Sequence, residues 1–407
     1  VYEPLVGVYR EWEKDHPFDE GVGWGNEPWS QEEMELNEAL VEEAAEKNEY
    51  AIVILARTAG EDKDNKMLEG AYCLTSIEED MLQKVRKSFA KMIVLLNTGN
   101  IMDMSFMDQY RPDAVMYVWQ GGMIGGLGTV DVLTGKVCPS GRLSDTLAAQ
   151  MSDYPADPYF GGLEQNLYVE DIYVGYRYFE SAAKSKVLYP FGFGLSYTTF
   201  SMEADGFSYA ENQVSFVMKV TNTGSVAGKE VVQVYAKAPL GKLGKPARVL
   251  IDFKKTKELK PGECAELAFA IPTSVFASYN EVSTAGMPVG WVLEAGEYTI
   301  YAGGNVRDAY AVGSFTLDEL QIVEECRSAL APTTAFKRMK MTAANEHAEA
   351  AGVYEVAMEE VPLRVVSPEE KRNAELPESY EMTGDRGIKL ADVKAGKATL
   401  DEFVAQL

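Results

Sequence analysis

The sequence predicts an α/β domain followed by an all-β sandwich, on three observations. Between residues 30 and 150, short apolar runs alternate with segments of helical periodicity, as expected of a mostly parallel sheet with helices on both faces. After Phe200 the pattern switches to period-two runs separated by turn clusters, which is the pattern of an antiparallel sandwich of about 100 residues. The 407 residues, 46% hydrophobic and 11% aromatic, exceed one ordinary domain and can fill more than one core.

In the first region, Ser30 followed by Glu33 reads as a capping box opening a helix, with Leu36, Leu40, Val41 and Ala44 on one face. The apolar run at 50–55 is a buried strand. Ser76 and Glu79 read as a second capping box, and Met81, Leu82, Val85 and Phe89 form the stripe of the helix it starts. A strand at 92–96, a short helix near 104–110 and a strand at 114–118 follow. A glycine-rich turn at 121–128 leads into a helix through Val130 and Leu133.

In the second region the strands are expected at 214–220, 231–236, 265–271 and 297–302. The clusters Asn222-Thr223-Gly224-Ser225 and Pro261-Gly262-Glu263 supply turns. The domains are accordingly set at 1–200, 201–316, a linker at 317–384 that opens with a helix at 317–329, and a closing amphipathic element at 385–407.

Composition excludes several functions. With 38 basic against 63 acidic residues the net charge is −25, which disfavours nucleic acid and anionic membrane as partners. No apolar run approaches the ~20 residues of a membrane span. The four cysteines, Cys73, Cys138, Cys264 and Cys326, are far apart, and only two histidines, His16 and His347, are present, so no metal site is expected. Four reduced thiols point to a reducing, cytoplasmic compartment. The chain opens without methionine, so the true N-terminus is expected to lie upstream.

No cofactor is expected either. Gly126-Leu127-Gly128-Thr129-Val130-Asp131 lacks the third glycine of a dinucleotide fingerprint, and no P-loop lysine motif exists. Asp62-Lys63-Asp64-Asn65-Lys66 starts like a calcium loop, but Met67 stands where glycine is needed. Gly194-Leu195-Ser196-Tyr197-Thr198 fails the nucleophile elbow at its last position.

What remains is Arg57-Thr58-Ala59-Gly60-Glu61-Asp62-Lys63-Asp64, directly after the first buried strand. Ligand sites in open α/β sheets lie beyond the carboxyl ends of strands. Glu61 is there a candidate general acid, with Gly60 allowing close approach and Arg57 and Asp64 as loop support. A glutamate in a polar loop is also an ordinary surface residue, and Arg57 can equally be a structural ion pair. Trp119, with Gln120 beside it at the end of a later strand, offers an indole face to a sugar ring, but is as well suited to a core.

These blocks, taken in order, resemble glycoside hydrolase family 3, the β-glucosidase family. The resemblance runs through the Arg57–Asp64 segment, Leu96-Asn97-Thr98-Gly99, Trp119-Gln120-Gly121-Gly122 and Pro139-Ser140-Gly141-Arg142-Leu143. It continues through Glu170-Asp171-Ile172-Tyr173-Val174-Gly175-Tyr176-Arg177-Tyr178-Phe179 and Tyr189-Pro190-Phe191-Gly192-Phe193-Gly194. The β region is similar to that family's fibronectin-III-like domain, an Ig-like β-sandwich.

The resemblance implies a retaining β-glucosidase in which Glu61 is the acid/base, with no cofactor or metal. Its partners would be an oligosaccharide or β-glucoside substrate and a catalytic (β/α)8 barrel of the same polypeptide that carries the nucleophilic aspartate. No barrel is found in these residues. The segment 385–407 resembles the lead-in to one, as in members of inverted domain order. The chain thus reads as a piece of the enzyme, inactive alone, whose first sandwich strands are missing. Two other readings stay open: a non-catalytic carbohydrate-binding or interaction fragment, and β-xylosidase specificity. A homo-oligomer is compatible with either.

Overall fold

The computed structural model describes residues 2–58, 64–284, 286–326, 332–363, 368–374, 376 and 381–407. Residues 1–327 with 336–360 form one compact unit, and 328–335 with 361–407 form a second.

The first unit opens with helix α1 (Glu3–Trp12) and α2 (Glu38–Lys47). Strand β1 (Tyr50–Ala56), helix α3 (Ser76–Ser88), β2 (Lys91–Asn97), α4 (Phe106–Tyr110), β3 (Ala114–Tyr117) and α5 (Gly125–Leu133) follow. The three strands form a parallel sheet of order β1-β2-β3, with Ile52 beside Ile93 and Ile93 beside Ala114.

Alternate residues of these strands face opposite sides. Val53 and Leu55 of β1, with Met92, Val94 and Leu96 of β2, pack against Val41 and Ala44 of α2 and Met81, Leu82 and Val85 of α3. Among the described residues the expected cover on both faces is not found along β1. On its other side Ile52 and Ile54 are 52% and 55% exposed, and no residue of α5 is buried.

Both expected capping boxes are displaced. Asn37, not Ser30, caps α2, its side chain accepting from the Ala39 and Leu40 amides. Glu33 is instead held by the Tyr9 hydroxyl at 3.0 Å. The box of α3 is Thr75 with Glu78, one residue earlier than Ser76 with Glu79.

A linking region with β4 (Leu147–Ala148), α6 (Tyr176–Ala182) and β5 (Val187–Tyr189) leads to the β domain. Its strands are β6 (Phe200–Ala210), β7 (Gln213–Asn222), β8 (Val231–Lys237), β9 (Val249–Lys255) and β10 (Cys264–Pro272). After them come β11 (Ser278–Asn280), β12 (Gly290–Leu293), β13 (Gly296–Gly303) and β14 (Tyr310–Leu317). Antiparallel sheets of order β10-β7-β6 and β14-β13-β8-β9 enclose one core, with Val214, Phe216, Met218 and Val220 from one and Val232, Val234, Ile300 and Phe315 from the other.

Over its described residues, 317–326, the helix expected at 317–329 is not formed. Gln321–Glu325 is a strand, β15, paired antiparallel with β12, so that Ile322 lies opposite Val292. The β-branched pair Ile322-Val323 favours this extended state once a partner edge is available. The stretch read as linker also carries β16 (Lys337–Thr342), α7 (Glu346–Ala351) and β17 (Glu355–Glu360), with β16 and β17 paired in a hairpin.

Strand β8 is buried on both faces. Gln233 and Tyr235 point away from the sandwich core, toward Tyr176 and Phe191 of the linking region. The Gln233 amide donates to the Gly192 and Gly304 carbonyls at 3.1 and 2.6 Å, and the Tyr235 hydroxyl donates to its Oε1 at 2.6 Å. Gly192, at φ +79°, is required here, because a Cβ would lie 2.0 Å from the Gln233 oxygen.

The second unit holds α8 (Pro368–Ala374), α9 (Leu390–Lys394) and α10 (Leu400–Ala405). Thr399 and Glu402 form the capping box of α10, and the Gln406 side chain accepts from the Arg386 and Ile388 amides at 3.1 and 2.9 Å. Among the described residues no helix is long and apolar enough to cross a membrane.

Candidate functional site

The carboxyl ends of β1, β2 and β3 open into three loops, and the sequence candidates lie on two of them. Arg57 is the first residue past β1. Its side chain is 4% exposed and makes a two-point contact with Glu78 of α3, itself 7% exposed, at 2.6 and 3.0 Å. Its Nε donates to the Ala71 carbonyl at 2.9 Å, Nη1 to Ala56 at 2.7 Å and Nη2 to Cys73 at 3.0 Å.

The guanidinium thus draws together the two ends of the 58–70 segment. The backbone adds the Thr58 amide to the Trp29 carbonyl at 2.7 Å and the Asp103 amide to Tyr72 at 2.9 Å. Glu78 also accepts the Thr75 amide at 2.8 Å, so one carboxylate both caps α3 and holds Arg57. Its role was missed in the sequence because Thr75-x-x-Glu78 and Ser76-x-x-Glu79 overlap as equally good boxes.

Ala59 to Lys63, and with them Gly60 and Glu61, lie outside the described residues. Asp64 is exposed and forms no hydrogen bond or ion pair among the described residues. The loop contact at that end is made by Asn65, whose amide donates to the Ile101 carbonyl of the β2 loop at 2.9 Å.

Trp119 lies just past β3 in the left-handed region, at φ 52°, and is half-buried. Its ring tilts against Tyr117 with centroids 4.7 Å apart, so packing takes one side of the indole. Gln120 is exposed, and its side chain lies over Gly99 of the β2 loop, where an added Cβ would come within 3.3 Å of it. The β2 and β3 loops therefore meet at Gly99 and Gln120.

The electrostatics of the edge are acidic. Burial pushes the Cys73 thiol up, and Asp103 and Glu69 push it further, outweighing the opposing effect of Arg57. Burial also raises the hydroxyl of Tyr72. Among the described residues no group of three or more His, Cys, Asp and Glu could hold a metal ion. A cavity of about 230 Å³ lies elsewhere, between α6 of the linking region, the β domain and α7.

Residues 31–197 match the glycosyl hydrolase family 3 C-terminal domain, and residues 230–306 match a fibronectin type III-like domain. A beta-glucosidase of Ruminococcus albus is 50% identical over 405 residues, covering 100% of this chain and 42% of that protein. Beta-glucosidase A of Butyrivibrio fibrisolvens is 34% identical over 464 residues, covering 100% of this chain and 55% of that protein. This chain thus spans about half the length of the relatives it matches.

Among solved structures, a beta-glucosidase from Paenibacillus barengoltzii superposes with a TM-score of 0.88 at 47% identity, over 100% of this chain and 45% of that one. Beta-glucosidase 3B from Thermotoga neapolitana, in complex with glucose, gives 0.70 at 34% identity, over 78% and 45%.

Proposed function

This chain belongs to glycoside hydrolase family 3, and we propose that the full-length protein is a retaining β-glucosidase to which these residues contribute the proton donor, Glu61. The observation that carries this reading is the Arg57–Glu78 clamp. A buried, fully bonded guanidinium fixes both ends of the loop that bears Glu61 at the carboxyl edge of the sheet. A general acid must be held near a leaving-group oxygen, and anchoring of the residues on either side of Glu61 supports that.

In the proposed reaction Glu61 protonates the glycosidic oxygen as the aglycone leaves. It then takes a proton from the water that opens the covalent glycosyl-enzyme. The nucleophile would come from the remainder of the polypeptide. Trp119 and Gln120, on the loop past β3, would form part of the rim against which the sugar or aglycone rests.

Replacing Glu61 by Gln and by Ala in the full-length protein tests the assignment. Loss of a general acid/base costs about 10²- to 10⁴-fold in turnover of glycosides with poor leaving groups. Aryl glycosides with good leaving groups should keep glycosylation, and azide should partly restore turnover in the Ala variant. Unchanged hydrolysis of a disaccharide by either variant would remove Glu61 from the mechanism.

A further inference from the structure

The cavity between α6, the β domain and α7 is lined by Glu180, Lys184, Lys237, Arg248, Tyr301 and Arg307, with small residues completing its wall. Glu180 and Arg307 neutralise each other at 2.9 Å. The other three cations form no ion pair among the described residues. Lys237, at the end of β8, donates to the Ala350 carbonyl at 3.0 Å. Arg248, before β9, lies 3.5 Å over the Tyr301 ring and reaches the Val306 and Ala309 carbonyls only at 3.3 Å. Lys184 follows α6 and is exposed.

This arrangement is costly as it stands. Burial lowers the Lys237 ammonium below its ordinary range despite Glu349 and Glu297 nearby, and it lowers Arg248 as well. Charges withdrawn from water are normally paired. In a chain with 63 acidic and 38 basic residues, this cavity gathers three cations that form no ion pair among the described residues, although Glu349 and Glu297 act on Lys237 and Glu180 on Arg248 from a distance.

We propose that this cavity binds a small tetrahedral oxyanion, free phosphate or the phosphoryl group of a sugar phosphate, between Lys184, Lys237 and Arg248. A guanidinium fork and lysine ammoniums are the donors such groups select. The volume of about 230 Å³ lies below the range of about 300–1,000 Å³ usual for larger organic ligands. The bound anion would tie the end of α6, β8, β9 and α7 together and so stabilise the unit that contains them.

Isothermal titration of the 407-residue chain with inorganic phosphate, and separately with glucose 6-phosphate, tests this at ionic strength held constant with chloride. Saturable binding with a rise in melting temperature is expected. Equal affinities identify the free anion as sufficient, and tighter binding of the sugar phosphate identifies the esterified form. Arg248→Gln and Lys237→Met should each weaken binding by about 10- to 100-fold, the loss of one charge-assisted hydrogen bond. Lys219→Met, exposed on β7, should leave it unchanged.

Circular dichroism establishes that each variant is folded, and Lys237→Met carries the test if Arg248→Gln is not. Absence of saturable binding up to about 10 mM of either probe, a scale that marks very weak association, overturns the proposal. So does equal weakening by Lys219→Met.

Discussion

Removing the carboxylate of Glu78 isolates the contribution of the clamp beneath the candidate loop. In Glu78→Gln, Arg57 keeps its carbonyl contacts but loses its counter-charge in a site where the two side chains are 4% and 7% exposed. Breaking a pair so buried costs about 3–5 kcal/mol, because a desolvated cation is left behind. The Thr75 amide also loses its acceptor, worth about 1 kcal/mol if the new amide does not replace it.

Arg57→Met strands the opposite charge and frees the Ala56, Ala71 and Cys73 carbonyls. In Arg57→Met/Glu78→Leu no charge remains, so the double variant should fall short of the summed single effects by about 2–3 kcal/mol. Because a chain of several domains need not unfold in one step, the assay is native-state hydrogen exchange of the β1 and β2 ladder amides. Single-variant losses below about 1 kcal/mol, or a double variant additive to within about 0.5 kcal/mol, would show that the pair does not hold the loop.

Two further outcomes concern the same sheet. The Met92 amide at 2.9 Å, with Lys91 and Arg86 at 3.1 and 3.0 Å, holds the Asp113 carboxyl down at about 2. A depressed carboxylate adds stability above its unfolded value of about 3.9 and loses it as pH falls through about 2, so Asp113→Asn should narrow its deficit against wild type as melting is followed from pH 5 to pH 2. A deficit that stays constant over that range would refute the assignment. The uncovered side of β1 should make the 407-residue chain associate or bind a hydrophobic dye when produced alone, and Ile52→Lys with Ile54→Glu should reduce both. Light scattering unaffected by the double change would mean that this face is not the sticky one.

The parallel ladder was legible because Tyr50–Ala56 and Lys91–Asn97 are apolar runs bounded by polar ends, and the sandwich because strands such as β7 alternate cleanly. What escaped was decided at long range. Whether Glu78 or Glu79 completes the capping box depends on Arg57, 21 residues away, which selects the carboxylate facing it. The Gln321–Glu325 segment is extended because β12 offers it an edge, and the β-branched pair Ile322-Val323 alone does not reveal that partner. Of the site, the position of Arg57 after a strand could be read, but its complete engagement with carbonyls and one carboxylate could not. The left-handed backbone at Trp119, where its ring packs on Tyr117, was equally invisible, since non-glycine residues seldom adopt it and no local pattern announces it.

The doubly buried β8 has a consequence for how such chains can be cut and recombined. Its outward residues Gln233 and Tyr235 find their partners in Gly192, Tyr176 and Phe191, on the far side of the sequence boundary near residue 200. A β domain excised at that boundary would turn a buried tyrosine and an amide toward solvent, and the amputated remainder would lose the surface on which Tyr176 and Phe191 rest. The two regions are therefore not interchangeable modules joined by a tether. Any chimera that swaps one must carry the other with it, and the heritable building block is the pair.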